Sequence, residues 1–197
     1  MTTSTWWASE TFWRKTAIWV TAGSLVVLIV LTFDSMAQIS AGTKRVPAYS
    51  VINNRIEYKY DEQRHAQVPV IGKEEPLFGK KLTEQEAEAL VSKGKLTTQA
   101  KNCMDCHTLL GNGAYYAPDL TKAWLDPFWG SRAAREELMV EFIMDPSNKL
   151  HNGLGRRMPK LGVTEEEARA VVAFLKWMSS IDTNGFPTNF KPLDQEN

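Results

Sequence analysis

The chain has 197 residues, a length that suits one or two domains, and its 23 basic and 23 acidic side chains give a formal net charge of zero. Such a balance produces no global field that would attract a polyanion, so we expect no nucleic-acid partner. Hydrophobic residues make up 43% of the sequence, which is ordinary for a globular protein.

An uncharged segment near the N-terminus predicts a membrane anchor. The 18 residues from Thr16 to Phe33 carry no charge, and as a helix they would span roughly 27 Å, close to the thickness of a bilayer core. Arg14 and Lys15 precede this segment and Asp34 follows it, so the positive-inside rule predicts a cytoplasmic N-terminus. An aromatic belt would lie at the cytoplasmic interface, formed by Trp6, Trp7, Phe12 and Trp13. Residues 1–34 are therefore predicted to be a single-pass anchor in contact with lipid.

The alternative interpretation of this segment is a cleaved signal peptide. Ser35-Met36-Ala37 resembles a small-x-small cleavage site. We favour a retained anchor because the apolar run is long for the hydrophobic region of a signal peptide. Both interpretations place the remainder of the chain outside the cytoplasmic membrane, which in a bacterium is the periplasmic side.

Residues 35–82 are predicted to form an external insert. Val51 to Tyr60 reads as a hairpin with Asn53-Asn54 as its turn, and Gln67 to Gly72 as a short strand that Pro69 keeps at a sheet edge. The alternative is an extended linker on a partner surface. His65 lies in polar sequence, so we assign it no ligand role.

Two capping boxes mark the first and last helices of a domain that we place at residues 83–182. Thr83 with Glu86 begins the first helix, and Thr164 with Glu167 begins the last. Gly94 is a poor helix former, so its presence predicts that the last helix approaches the first closely at this position.

The pentapeptide from Cys103 to His107 uses both cysteines of the chain. C-x-x-C-H is the attachment pattern of c-type haem: the thiols of Cys103 and Cys106 bond to the haem vinyl groups, and His107 is the proximal iron ligand. A redox-active C-x-x-C would not need the histidine, and a zinc site would need further ligands nearby. We therefore predict one covalently bound haem c, which leaves no cysteine for a disulfide.

A third helix is predicted from Ser131 to Met144, and Pro146 ends it. Pairing of the first and last helices around a haem held by C-x-x-C-H is the plan of small monohaem cytochromes c. The fold class is therefore predicted to be all-α, with one transmembrane helix, a monohaem cytochrome c domain, and a short irregular or β-containing insert between them.

The sixth iron ligand must come from a distant part of the chain. Met158 lies in a non-helical segment, where Pro159 favours an extended backbone that can present the thioether to the iron. His151 is the alternative ligand. Three further methionines fall in predicted helices and read as core: Met139, Met144 and Met178.

Residues around the ligands complete the predicted haem site. Pro118 lies eleven residues after His107, where a proline carbonyl in cytochromes c accepts the imidazole Nδ1–H; the alternative is a proline that only forms a turn. Arg156 and Arg157 are candidates to neutralise the haem propionates, and the alternative is a solvated or partner-facing basic pair.

Several segments together resemble the cytochrome c subunit of bacterial nitric oxide reductase. The segment from Cys103 to Leu120, C-M-D-C-H-T-L-L-G-N-G-A-Y-Y-A-P-D-L, is similar to the haem-binding segment of that family. The family's order continues with Arg156 to Pro159, Phe174 to Trp177, Ile181 to Asn184 and Pro187.

The resemblance implies an electron-transfer subunit that is not itself catalytic. In that family the anchor packs against a polytopic catalytic subunit, which receives the electrons at a b-type haem and reduces two NO to nitrous oxide, a step of denitrification. A soluble cytochrome c or a cupredoxin is the implied electron donor. Residues 183–197 would form a tail on the partner subunit.

The resemblance also implies a calcium ion at the subunit interface, bound by backbone carbonyls that map onto Gly113 and Tyr115. The alternative is that the glycines here only form tight turns. The sequence departs from the family pattern at Asn112, where relatives commonly have Glu, and at Phe186 and Thr188 in the tail.

Two further hypotheses remain open on sequence grounds. One is a cytochrome c subunit of another haem–copper oxidase, or a free membrane-anchored electron shuttle. The other is a haem-based gas sensor in which NO displaces Met158, although the sequence shows no signalling domain.

Overall fold

A computed structural model describes residues 5–146, 157–188 and 190 of the chain. It begins with a long helix, α1 (Glu10–Ile39), none of whose residues is buried against the rest of the described chain. The most apolar 18 residues of α1 have a mean hydropathy of 2.2. An exposed apolar helix of 30 residues suits a bilayer and not water, so the predicted N-terminal apolar helix is confirmed.

The insert contains a two-stranded antiparallel sheet. Strands β1 (Asn54–Asp61) and β2 (Ala66–Glu74) pair so that Tyr58 lies opposite Pro69. The predicted strand at residues 67–72 is confirmed inside β2. Among the described residues β2 pairs with β1 alone, so Pro69 lies in an edge strand, where its missing N–H costs no ladder hydrogen bond.

The predicted hairpin turn at Asn53-Asn54 is wrong. Asn53 is buried, and its side chain bridges the backbone of Leu82 by donating to the carbonyl at 2.8 Å and accepting from the N–H at 2.9 Å. The turn of the sheet lies instead between Asp61 and His65. The carboxylate of Asp61 accepts hydrogen bonds from two backbone N–H groups of that turn, and His65 has a positive φ of 47°.

The insert folds onto the helical part of the chain and is not an extended linker. The ring of Tyr49 stacks on Trp177 with 5.1 Å between centroids, and Trp177 Nε1 donates to the Pro47 carbonyl at 3.2 Å. Arg64 bonds both carboxylate oxygens of Asp182, at 2.9 and 3.0 Å. Four insert side chains belong to the same hydrophobic core as the helices: Ile52, Ile56, Tyr58 and Leu77.

Three helices form the framework of the second part of the chain, namely α2 (Glu84–Ala100), α3 (Arg132–Met144) and α4 (Glu165–Ser179). Ser131 and Asp145 are the caps of α3, and the proline that follows Asp145 prevents its continuation. The predicted third helix is therefore confirmed.

Both predicted capping boxes are present. The Thr83 hydroxyl accepts from the Glu86 N–H while the Glu86 carboxylate accepts from the Thr83 N–H, and Thr164 and Glu167 repeat the arrangement. Since these bonds favour the charged carboxylate, the pKa values of Glu86 and Glu167 lie below their usual range. Each helix start is thus fixed by local sequence.

Gly94 is the closest point of the α2–α4 crossing, as predicted. A Cβ added there would lie 2.0 Å from the Ala170 carbonyl oxygen and 2.8 Å from the Phe174 Cβ. Only glycine permits this approach, because the obstacle is the backbone of α4 and cannot rotate away.

The connection from α2 to α3 contains little regular structure. Strands β3 (Thr108–Leu109) and β4 (Asn112–Gly113) form a short hairpin, and single 3₁₀ turns follow at Ala123–Leu125 and Pro127–Trp129. Trp124 in the first of these turns is only 4% exposed and joins the core.

A buried lysine ties this connection to the end of α4. Lys122 Nζ donates to the carbonyls of Ser179 at 3.2 Å and Ile181 at 2.8 Å, and lies 4.8 Å from the ring centroid of Tyr58. The hydroxyl of Tyr58 also donates to the Ser179 carbonyl. Burial lowers the pKa of Lys122 to about 7, against the opposing effect of Asp182. The unpaired carbonyls at the helix end are thereby satisfied.

A pair of buried cations lies against the Trp124 ring. The guanidinium carbon of Arg135 is 5.2 Å from the ring centroid, and Lys176 Nζ is 5.1 Å from it. Lys176 also donates to the carbonyl of Glu75 at 3.0 Å, so this cluster connects α3, α4 and the insert. Burial lowers the pKa of Lys176 to about 8.

We predict that Gly94→Ala destabilises the protein by about 2–4 kcal/mol, because the clash with the α4 backbone outweighs the better helix propensity of alanine. The measurement is loss of helical circular dichroism on heating the detergent-solubilised full chain. Lys95→Ala, at the exposed neighbouring position, is the control. Equal melting of the two variants would contradict the close crossing.

We predict that Tyr58→Phe lowers stability by about 1 kcal/mol, because it removes a buried hydrogen bond between the insert and α4. Tyr60→Phe is the matched control, since Tyr60 is 43% exposed on the same strand. Urea unfolding followed by tryptophan fluorescence compares the two variants, and an equal loss for both would show that the insert contributes nothing through this bond.

Candidate functional site

The C-x-x-C-H segment lies directly after α2. Asn102 adopts a left-handed conformation with φ of 53°, which turns the chain away from the helix axis. A single 3₁₀ turn then begins at Cys103, and the His107 N–H donates to the Cys103 carbonyl at 3.0 Å. This compact turn places the Cys103 and Cys106 thiols and the His107 imidazole at one cavity.

The cavity has a volume of about 660 Å³ and a largely apolar wall. Five side chains with sulfur or imidazole donor atoms line it: Cys103, Cys106, His107, Met139 and Met158. Apolar side chains from the connection, α3, α4 and the segment before α4 complete the wall: Leu120, Ile143, Val163, Val171 and Leu175. Partial burial of Cys103 raises the pKa of its thiol.

This donor set fits a c-type haem better than it fits the alternatives. Two thiols in one turn can form thioethers, while an imidazole and a thioether are the axial ligands that c-type haem iron commonly takes. Within residues 5–146, 157–188 and 190, no three His, Cys, Asp or Glu side chains cluster as a metal site would require. A four-ligand zinc site therefore has no support in the described chain.

His107, the predicted proximal ligand, has a defined orientation. His107 Nδ1 lies 2.7 Å from the carbonyl oxygen of Pro118. A carbonyl can only accept, so Nδ1 carries the proton and Nε2 has its lone pair free for a metal. This is the contact that the spacing of His107 and Pro118 predicts.

Two of the candidate methionines line the cavity. Met158 is half-buried in an irregular segment ahead of α4, and Met139 is 1% exposed within α3. Met144 is half-buried at the end of α3, while Met178 packs in the core. His151, the alternative ligand, lies outside the described residues.

One of the two predicted propionate partners lies within the described residues. Arg157 is exposed and lines the mouth of the cavity. Arg156 lies outside the described residues. The prediction for the pair therefore rests on Arg157.

Sequence reasoning missed a group of aromatic side chains on the cavity wall, namely Tyr116, Phe128, Trp129 and Phe142. The rings of Trp129 and Phe142 meet edge to face with 5.6 Å between centroids, and Trp129 Nε1 donates to the Ala123 carbonyl at 2.8 Å. The run Phe128-Trp129 after a proline was visible in the sequence. That these rings face the cavity was not visible, because they lie in a turn, where the sequence has no periodicity that would predict a face.

Gly113, one of the two predicted calcium ligands, is needed for the local backbone conformation. A Cβ on Gly113 would lie 2.3 Å from the His107 carbonyl oxygen, and Gly113 has a φ of 126°. Tyr115 is 80% exposed and donates its hydroxyl hydrogen to the Gly111 carbonyl at 2.8 Å. Close approach beneath the histidine explains Gly113 without a metal, and the calcium ion stays a prediction.

Comparison with protein families finds a match to the cytochrome c family over residues 91–179. This range begins within α2 and ends at the last residue of α4, so it contains the C-x-x-C-H turn, the cavity wall and Met158.

Comparison with individual proteins finds relatives whose names identify them as a subunit of nitric oxide reductase. The protein from Stutzerimonas stutzeri is 36% identical over 117 residues, which cover 58% of this chain and 76% of the relative. The protein from Paracoccus denitrificans is 36% identical over 112 residues, covering 56% and 73% respectively. The protein from Halomonas halodenitrificans is 33% identical over 97 residues, covering 48% and 62%.

Proposed function

The chain belongs to the family of cytochrome c subunits of nitric oxide reductase, and we propose on that basis that it is the membrane-anchored electron-transfer subunit of such an enzyme. Its cytochrome c domain implies a covalently bound haem c. The observation that carries the proposal is the cavity shared by the C-x-x-C-H turn and Met158, in a chain that begins with an exposed apolar helix.

Four residues would hold the haem. Cys103 and Cys106 would supply the sulfurs for two thioether bonds, and His107 Nε2 and the Met158 thioether would bind the iron. A bound haem c supplies one-electron redox chemistry at its iron. With haem bound, the apolar wall would limit the water around it, and a thioether ligand would favour the reduced iron, so the site would accept electrons readily.

Met158 is better placed than Met139 to supply a thioether to the iron, for a physical reason. Met139 projects from the interior of α3 and its side chain is almost fully buried in the core, where moving it would open a packing defect. Met158 stands in an irregular segment that can adjust its backbone to bring the sulfur to a metal.

Charge around the site suits the carboxylates that a haem carries. Arg157 lies at the cavity mouth, where its guanidinium can pair with a propionate and remain partly hydrated. Arg156 adjoins it in sequence and would reinforce the same positive charge.

The anchor supports one topology for the subunit. Arg14 and Lys15 at the start of α1 favour a cytoplasmic N-terminus, and the four N-terminal aromatic rings suit the headgroup region. Residues 1–34 would then span the bacterial cytoplasmic membrane, and residues 83–182 would carry the haem on the periplasmic side. Residues 183–197 would extend as a tail over the partner.

The proposed partners follow from the family. A soluble cytochrome c or cupredoxin would deliver electrons one at a time to this subunit. A polytopic catalytic subunit would take them at a b-type haem and consume two NO, two electrons and two protons to release N₂O and water. A calcium ion held by the Gly113 and Tyr115 carbonyls would join the two subunits.

We predict that Met158→Ala lowers the midpoint reduction potential while the haem stays covalently attached, because loss of the thioether removes the ligand that favours Fe(II). Met139→Leu, a volume-conserving change in the core, is the control. Redox titration of the purified complex measures both. An unchanged midpoint in Met158→Ala would remove this residue from the coordination sphere.

The function itself is tested by purification of the native complex in mild detergent, followed by identification of its subunits and an assay of NO consumption with a reduced donor. We expect a polytopic haem-b subunit to co-purify and NO to be consumed. A copper-bearing oxidase partner would favour the alternative of another haem–copper oxidase. A free monomer that exchanges electrons with donors and binds no partner would favour an anchored shuttle.

A further inference from the structure

The segment that bears Pro118 is joined to the segment that bears His107 by backbone hydrogen bonds on both sides of the proline. The Ala117 N–H donates to the Cys106 carbonyl at 2.8 Å, and the Leu120 N–H donates to the Thr108 carbonyl at 2.8 Å. The contact from His107 Nδ1 to the Pro118 carbonyl, at 2.7 Å, lies between these two bonds. The geometry of that contact is therefore set by how firmly the two segments are held together.

The side chain of Asp119 adds further links between the segments. One carboxylate oxygen accepts from the Thr108 hydroxyl at 2.6 Å and from the Gly111 N–H at 3.3 Å. The other oxygen accepts from the Thr121 N–H at 2.8 Å. Hydrogen bonds to an ionised carboxylate are roughly twice as strong as neutral ones, so the bonds from Thr108 and Gly111 resist separation of the segments. The bond from the Thr121 N–H lies within the segment that bears Pro118 and fixes the orientation of the carboxylate.

A second hydroxyl closes the network. The Thr121 Oγ1 accepts from the Leu110 N–H at 2.7 Å, and Leu110 has a positive φ of 52° that a leucine seldom adopts. Thr108 is 2% exposed and Thr121 is fully buried. Because water is excluded from both hydroxyls, each of these bonds is stronger than it would be at the surface.

We propose that Asp119 is a positioning residue that holds the Pro118 carbonyl on His107 Nδ1 and thereby sets the reduction potential of the site. The inference rests on the proposed role of His107 as an iron ligand. A short Nδ1–H···O bond makes the imidazole a stronger electron donor through Nε2, and a stronger donor stabilises Fe(III) relative to Fe(II). Loss of the Asp119 hydrogen bonds therefore weakens the His107 imidazole as an electron donor and raises the midpoint potential.

The test compares variants of the full chain, purified as the complex in detergent. Asp119→Ala removes all three bonds, while Thr108→Val removes one bond and preserves shape and charge. We expect both midpoints to rise, with a shift of about three- to tenfold in the equilibrium constant for reduction by Asp119→Ala and a smaller shift by Thr108→Val. The largest g value of the oxidised low-spin iron in electron paramagnetic resonance should change in both.

A charge-matched control separates the effect of losing the Asp119 hydrogen bonds from the effect of losing its negative charge. Asp105 also lines the cavity and is exposed, so Asp105→Asn removes the same charge without touching the Asp119 hydrogen bonds. Removal of any nearby negative charge raises a midpoint potential, so this variant gives the purely electrostatic shift. The g values should stay unchanged in Asp105→Asn.

A double variant gives the decisive comparison. If Asp119 acts through Thr108, the pair Asp119→Ala/Thr108→Val shifts the midpoint no further than Asp119→Ala alone. Additive shifts, or a Thr108→Val midpoint equal to that of the unaltered protein, would overturn the inference. If Asp119→Ala fails to retain haem, Thr108→Val and Asp119→Asn decide by the same criteria.

Failure of this inference is distinguishable from failure of the proposed function. A covalently attached, histidine-ligated haem with unshifted variants would overturn the role of Asp119 and leave the electron-transfer role intact. An unaltered chain that carries no covalent haem would overturn both.

Discussion

The close crossing of α2 and α4 at Gly94 is the contact on which the rest of the structure depends. It brings the backbone of α4 against the C-terminal half of α2, just ahead of the C-x-x-C-H segment. The two cysteines that follow α2 therefore lie beside the cavity wall formed by Val171 and Leu175. A larger residue would separate the helices and widen the cavity. The position of the C-x-x-C-H turn beside the cavity wall is therefore a consequence of how the two helices pack.

The insert stabilises the same framework from the other side. Side chains of the insert enter the core. Near the end of α4, Lys176 donates a hydrogen bond to the Glu75 carbonyl, and the Tyr58 hydroxyl donates one to the Ser179 carbonyl. Buried lysines at Lys122 and Lys176 are costly unless they are hydrogen-bonded, and both are bonded to carbonyls. The insert thus helps to orient α4, and a family relative with a shorter insert would need other contacts to hold this helix.

Prediction succeeded where the physical cause was local. A capping box is complete within four residues, so Thr83 and Thr164 marked their helices correctly. The prediction of a turn at Asn53-Asn54 failed because the Asn53 side chain forms hydrogen bonds with the backbone of Leu82, which is distant in sequence. The hydrogen bonds of Asp119 were missed for a related reason: its partners lie on two segments whose alignment is a property of the folded chain.

The sequence by itself determined the long apolar helix, the helix starts, the need for glycine at position 94 and the cofactor chemistry of C-x-x-C-H, because each depends on composition or on residues a few positions apart. Only the tertiary structure decided that Met158 and Met139 share one cavity with His107, that the insert is part of the core, and that the Asp119 carboxylate accepts a hydrogen bond from Thr108. Those facts depend on distances between segments that are remote along the chain, and such distances are fixed only when the helices pack.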